Sequence, residues 1–513
     1  MRLSLKIFLS AAVFSFANFA LSEITMPRFF SDNMLLQREM PVKIWGKAEP
    51  KANVKVGFAG QSKSARADEN GDWSLNLAPM KASAEPRKML VYENSKLGKT
   101  IENVLVGELW LTGGQSNMDF RLWGITGHEE ICKRATYPDI RVFVQPIDGY
   151  GSHTKEWDAQ EGAYWSLVSP EKARDFHGVA YIFAENLRRA LDVPVGVIQT
   201  AKGASIMFTW TPYEYLSGVS GFERWLKHFN SQSKHYDYEK AMEKYRQDYK
   251  IYEEKLAQAK ADKTPWPPKP NEPSKLGPGG TTHMPSVLYN AKVAPFRGLS
   301  MRGVLWYQGE FDSTGVPGEF ASMFKTMIKA WRDEWKRPDM PFYFVQLPSQ
   351  ENVKYAQTRW DQFKVFEEYK NIDMIVTIDT GEEKDNHPRD KVIVCRRIAD
   401  MALNKIYKKI PDIQYGPIFQ EVNYRGDTAH VKYWAFKGKL VKDGELRGFE
   451  VKQDGEWVAP QKVEIDRSSI IIRGSKELQG VRYLWTGWAK PNVCLRDERG
   501  LPAMSFISEK ESD

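Results

Sequence analysis

The sequence predicts an α/β protein: a mostly parallel sheet covered by helices on both faces, with a β-rich segment before and after it. Three observations carry that reading. Between about residues 103 and 410, short continuously apolar runs alternate with amphipathic stretches, as strands buried on both faces by crossover helices do. Outside that region the hydrophobic period falls to two, as in half-buried antiparallel strands. The chain has 513 residues, enough for about three folding units.

Composition narrows the class further. Hydrophobic residues make up 42%, aromatics 13% and charged residues 27%, which excludes a disordered chain, a collagen and a coiled rod. Lys and Arg number 73 against 66 Asp and Glu, a net charge of +7. The two signs are interleaved, so no basic stripe points to a nucleic-acid partner. The 17 Trp, 22 Tyr and 26 Phe suit cores, sugar platforms and nucleobase platforms alike.

The first element, residues 1–22, reads as an export signal. Arg2 and Lys6 are charged, Ile7 to Ala20 is apolar but short, and Ala20-Leu21-Ser22 offers small residues for cleavage. The expected location is therefore periplasmic or extracellular. No other stretch is apolar enough to span a membrane. The three cysteines, Cys132, Cys395 and Cys494, are too few and too scattered for a disulfide framework or a metal site. No metal or cofactor is implied.

Residues 23–102 read as a β domain. Val54, Val56 and Phe58 alternate with polar residues, as do Trp73, Leu75 and Leu77, and the turn pair Asn70-Gly71 lies between them. Residues 103–410 are the α/β region. Its apolar runs are Leu109 to Leu111, Val195 to Ile198, Val304 to Trp306, Phe342 to Val345 and Met374 to Val376; its helices are expected over 178–191, 320–335, 356–369 and 389–404. An insertion over about 213–280 carries Tyr238, Met242, Tyr245, Tyr249 and Tyr252 at helical spacing, then the stiff run Thr264 to Pro270. The tyrosine stripe is expected to pack on the body of the protein. Residues 411–513 return to period two, with a turn at Asp454-Gly455, and read as a second β domain.

Chemistry concentrates where the apolar runs end, and ligands of open α/β sheets bind at the carboxyl ends of the strands. Gly113-Gly114-Gln115-Ser116-Asn117-Met118 directly follows the run Leu109 to Thr112. The glycines permit a tight turn, and a serine there sits on the first turn of the next helix, as an acyl-transfer nucleophile would; an N-capping serine fits the spacing equally well. Of the eight histidines, His387 lies in Asp385-Asn386-His387-Pro388, beyond another strand end. Asp385 could orient its imidazole, although an Asp-capped turn before proline reads the same way. Gln308 and Glu310 follow Trp306-Tyr307, and Gly203 follows Val195 to Gln199. Each alone is an ordinary polar turn. Four such clusters at four strand ends would meet in one crevice.

Together, Gly-Gly-Gln-Ser-Asn-Met, Trp-Tyr-Gln-Gly-Glu and Asp-x-His-Pro, in this order, resemble the sialate O-acetylesterase and carbohydrate acetylesterase branch of the SGNH-hydrolase superfamily. Asp32 to Gly46, Ser286 to Ala291, Arg359, Gln362 and Gly500 to Ala503 extend the resemblance over most of the chain. It implies an SGNH-type α/β/α sandwich with a flavodoxin-like sheet, and metal-independent removal of acetyl groups from sugars. Carried over, Ser116 is the nucleophile, His387 the base and Asp385 the third member. Ser116 N–H, Gly203 N–H and the Gln308 side chain form the oxyanion hole, with Gln115, Asn117 and Glu310 in support. The implied partner is an O-acetylated sugar or glycan. The chain departs from the family at Lys202, at Phe208 (where a Glu is usual) and at Phe311-Asp312 (where Ser-Asn is common). Deacetylation of xylan or another polysaccharide is the alternative within hydrolases, and a non-catalytic sugar-binding protein the alternative outside them. A lipase is disfavoured by the missing Gly-x-Ser-x-Gly elbow around Ser116.

Overall fold

The computed structural model describes residues 24–510, apart from 147–150, 263, 271 and 412–414. The export segment at 1–22 lies outside the described residues. The 19-residue strand Lys96–Gly114 joins two parts of the molecule. Its first half pairs antiparallel with Ser83–Glu93, and its second half enters a parallel sheet. The boundary expected near residue 102 thus falls within one continuous strand. Ile101 and Val104 to Leu111 (Gly107 and Glu108 among them) are buried, so the apolar pattern has no break there.

Across the central sheet the order is Ile372–Ile375, Phe342–Val345, Gly303–Tyr307, Lys96–Gly114, Val195–Gln199, Ile140–Val144 and Tyr164–Leu167. Only the last pair is antiparallel. Both faces are covered. Trp110 pairs in register with Gly303 and meets Phe183 of the helix Gly178–Leu191 at 5.3 Å. Trp306, three residues on, faces the other way and meets Trp331 of the helix Glu319–Trp335 at 5.6 Å. Tyr355–Glu368 lies beside Glu319–Trp335, and Val392–Lys405 beside Gly178–Leu191. The result is the three-layer α/β sandwich. Four of the five anticipated runs lie wholly in the sheet, and the fifth, Met374 to Val376, runs one residue past the strand Ile372–Ile375. Lys96–Gly114 sits at its centre, where the winding direction changes, so the carboxyl ends there border a crevice.

The β-rich ends differ in detail from expectation. Asn53–Phe58 turns at Ala59-Gly60 to pair with Gln61–Arg66. Asp72–Leu77 pairs instead with Val42–Lys47. Asn70-Gly71 therefore links two different sheets, because each alternating segment buries its apolar side against a separate partner. In the C-terminal part, Asp454 and Gly455 both take positive φ and close the hairpin of Phe449–Gln453 and Glu456–Val458, as a two-residue turn should.

The insertion also differs. Tyr238–Asp262 is a 25-residue helix in which only Ala259 is buried. Its tyrosines do not pack on the body. Tyr245, Tyr249 and Tyr252 touch one another, and the returning segment covers them, with Lys269 over Tyr249 and Lys275 over Tyr238. Cys132, Cys395 and Cys494 are free thiols. Among the described residues, no helix is long and apolar enough to cross a membrane.

Candidate active site

The strand Lys96–Gly114 delivers Ser116 to the crevice. Gly114 takes φ +138°, and a Cβ there would lie 2.1 Å from the Tyr307 carbonyl oxygen. A Cβ on Gly113 would lie 2.7 Å from the Trp306 ring. Both positions need glycine because the neighbouring strand passes so close. Gln115 is buried; its N–H donates to the Tyr307 carbonyl at 3.1 Å, and its own carbonyl accepts the Met118 and Asp119 N–H groups at 2.9 Å. Ser116 then opens the one-turn helix Ser116–Asp119, where backbone amides lack intrahelical acceptors.

His387 reaches the same opening from the loop after Ile372–Ile375. Its Nε2 lies 2.8 Å from Ser116 Oγ, across 271 positions of sequence. Burial lowers the imidazole pKa below its ordinary value; the Asp385 carboxylate opposes this and the Lys391 cation adds to it. The ring is therefore neutral near pH 7, as a proton acceptor must be.

Asp385 is less tightly placed than a third member of a triad. Its Oδ1 accepts the His387 backbone N–H at 2.8 Å and lies 3.6 Å from His387 Nδ1, beyond a hydrogen bond. Both side chains are about half exposed, at 44% and 52%. Asp385 shapes the turn and contributes a screened charge. In Asp385→Asn the turn acceptor survives and the charge is lost. We expect roughly a tenfold fall in kcat, well short of the ~10⁴ seen when a buried triad aspartate is neutralised. Without the carboxylate that raises it, the His387 pKa falls, so the acid limb of kcat/KM should move to lower pH. A pH–rate profile of the variant checks both.

Two of the three anticipated oxyanion donors, Gly203 and Gln308, have other partners in this structure. Gly203 lies against Ser116, with its Cβ direction 3.6 Å from Ser116 Cβ, but its N–H donates to Asp119 Oδ2 at 3.2 Å. Gln308 Nε2 donates to the Asp312 carboxylate and approaches the Ser205 carbonyl at 3.5 Å. The Gln308 contact has a physical reason. Asp312 is a buried carboxylate, pushed up to about 7 by burial against the opposing Gln308 and Met207 donors, and a buried acceptor must be satisfied. Gln308→Ala should therefore destabilise the fold by about 1–3 kcal/mol, the usual cost of orphaning such a group. The denaturant midpoint at unchanged m-value is the measurement.

Asn117 and Glu310, expected as supports, form the floor of the site. Asn117 Nδ2 donates to Glu310 Oε1 and, at 2.9 Å, to the Asn386 carbonyl. One side chain thus ties the residue after Ser116 to the residue before His387.

Sequence reasoning missed three groups. Lys391 is buried, donates to Asn117 Oδ1 and sits between the rings of Phe120 and Tyr307, 5.4 and 5.3 Å from their centroids. Burial pulls its pKa down to about 8 against nearby acidic groups, Glu310 first. Its signal was the spacing His387 to Lys391 at the start of a helix. The other two are Asp119 and the buried His177, with Nε2 3.2 Å from Asp119 Oδ1. Burial pushes the Asp119 carboxyl up, but His177, Arg121 and the Gly203 N–H outweigh it and hold it below the usual range. Nothing in the local sequence marked that pair. Gln362 and Arg359 fasten the scaffold: Gln362 Oε1 accepts the Leu347 N–H at 2.8 Å, and Arg359 donates to the carbonyls of Pro348 and Thr486.

The three-layer fold, with a serine and a histidine meeting over the strand ends, defines an esterase of the α/β/α class. Residues 275–403 match the family described as carbohydrate esterase, sialic acid-specific acetylesterase, a stretch that holds Gln308, Glu310, Asp385, His387 and Lys391. Over that stretch the chain is similar to the carbohydrate esterases. It is 24% identical to the sialate O-acetylesterase of Mus musculus over 94% of this chain and 93% of that one. It is 24% identical to the sialate O-acetylesterase of Homo sapiens, over 94% and 91%. Its fold is that of a carbohydrate acetylesterase from Xanthomonas citri, with a TM-score of 0.78 at 24% identity, covering 95% of this chain and 100% of that one.

Proposed function

We propose that the protein hydrolyses O-acetyl esters on carbohydrates, with Ser116 as nucleophile and His387 as general base. The observation that carries this reading is the 2.8 Å contact between Ser116 Oγ and His387 Nε2 at an opening bordered by Gly203. His387 Nε2 takes the Ser116 proton as Oγ attacks the acetyl carbonyl carbon. The tetrahedral intermediate collapses, the sugar oxygen leaves with the proton from His387, and an acetyl ester remains on Ser116. Water, deprotonated by His387, then attacks that ester; the bond to Ser116 Oγ breaks, His387 returns the proton to Oγ, and acetate is released. The Ser116 N–H and the Gly203 N–H hold the oxyanion. Gly203 exchanges Asp119 for the developing charge, while His177 retains the Asp119 carboxylate. Asp385 orients the imidazole from outside hydrogen-bond distance.

The substrate is an acetylated sugar or glycan, as the names of the relatives suggest, and export through residues 1–22 would deliver the enzyme to it. Acetate release from O-acetylated sialic acid and from acetylated xylan, with wild type and with Ser116→Ala, tests the reading. No acetate from any acetylated sugar, or equal release by the variant, would overturn it.

A further inference from the structure

We propose that Phe311, His283 and Trp225 form a subsite beside the catalytic opening that stacks an uncharged pyranose ring next to the acetylated residue. The proposal rests on the carbohydrate-esterase reading above and extends it to the shape of the substrate. Phe311 directly follows Glu310, whose carboxylate holds Asn117, and it precedes Asp312, which accepts the Met207 N–H at 3.1 Å. It is thus anchored on both sides to the site, yet the residue is 54% exposed. An apolar ring held in water by a rigid backbone loses free energy of hydration that a ligand can recover.

The ring does not stand alone. His283 meets it edge-on at 6.2 Å between centroids, and Trp225 lies 5.7 Å beyond His283. The carbonyl of Thr282 accepts the Ile206 N–H at 3.3 Å, three residues from Gly203. The insertion, with Trp225, and the segment just after it, with His283, therefore feed two aromatic groups to a row that starts at the catalytic floor and continues past the Gly203 loop. Burial and the neighbouring His228 lower the His283 pKa, so the row is neutral near pH 7. Arg224 lies over the Trp225 ring, 5.6 Å from its centroid, and its charge is paired with Glu319 at 3.0 Å. Aromatic faces carry negative quadrupole charge, which suits the polarised C–H groups on the apolar face of a pyranose. The cation on this row is thus already matched by a carboxylate, and the row does not select an anionic sugar. The chemistry fits a neutral ring of an oligosaccharide or polysaccharide.

The test separates this subsite from catalysis. Isothermal titration of the Ser116→Ala protein with xylotetraose and with cellotetraose measures binding without turnover. Binding of at least one tetraose is expected, weakened at least fivefold by adding Phe311→Ala and restored by Phe311→Trp. A circular-dichroism spectrum matching the parent shows that the variants fold. Failure of both tetraoses to bind, or binding indifferent to Phe311→Ala, overturns the subsite. Acetate release by the unmodified enzyme reports on the esterase reading independently, so either can fail without the other.

Discussion

Ser116→Ala is expected to lower kcat for acetyl-ester hydrolysis by about 10⁴–10⁶-fold, and His387→Ala by a comparable factor. The two side chains act as one unit across a 2.8 Å contact: without the imidazole, the hydroxyl keeps its proton, and without the hydroxyl, the imidazole has nothing to activate. The losses should not add. The double variant should be about as slow as either single one, because backbone donors and substrate binding remain in all three. Neither change opens a core cavity, since Ser116 and His387 are both partly exposed, so the thermal midpoint should hardly move. Single-turnover acetate release together with thermal melts checks both halves. Additive losses would mean that the two groups serve separate steps.

Lys391→Met is expected to cut kcat by about 10²-fold with little change in KM. Lys391 lies behind the reacting atoms and acts through Asn117, so it is a positioning residue. Its ammonium donates to Asn117 Oδ1, while Asn117 holds Glu310 and the Asn386 carbonyl. Removing the donor frees the amide to turn and loosens the link between the Ser116 loop and the His387 loop. A displacement of about 1 Å between reacting groups is enough for a loss of that order. The variant also strands Glu310, whose pKa burial already raises against its Asn117 hydrogen bond, without its nearby cation. Leaving a buried charge unpaired destabilises by about 3–5 kcal/mol. Adding Glu310→Gln should therefore recover stability, while kcat stays low. The Lys391 cation helps to depress the His387 pKa, so in Lys391→Met that pKa should rise. The acid limb of kcat/KM then shifts to higher pH, opposite to the shift expected for Asp385→Asn. A merely structural lysine would leave the limb in place.

The parallel sheet was legible because strands buried on both faces need continuous apolar runs, and Leu109 to Leu111 or Phe342 to Val345 can be little else. The helix Gly178–Leu191 was legible to the residue, since one face must meet the sheet and the other water. Ser116 and His387 could be singled out because each follows a strand end with glycine or proline beside it. The insertion misled because tyrosines at helical spacing signal burial without naming the partner, and here the partner is the helix's own return segment. The Gln308–Asp312 contact was not legible because Asp312 is an acid whose burial no local pattern announces. Asp119 and His177 are 58 positions apart in sequence, and neither has a local cue.

The order of strands and helices, the glycine turn before Ser116 and the residue types able to do ester chemistry follow from the sequence alone, because periodicity and turn chemistry are local properties. Which groups are within a hydrogen bond of one another is not local. The 2.8 Å approach of His387 to Ser116, the Lys391–Asn117–Glu310 floor and the partners taken by Gly203 and Gln308 were decided by tertiary packing. Hydrogen-bond strength falls away within a few tenths of an ångström, a precision that only the assembled sheet and its loops impose.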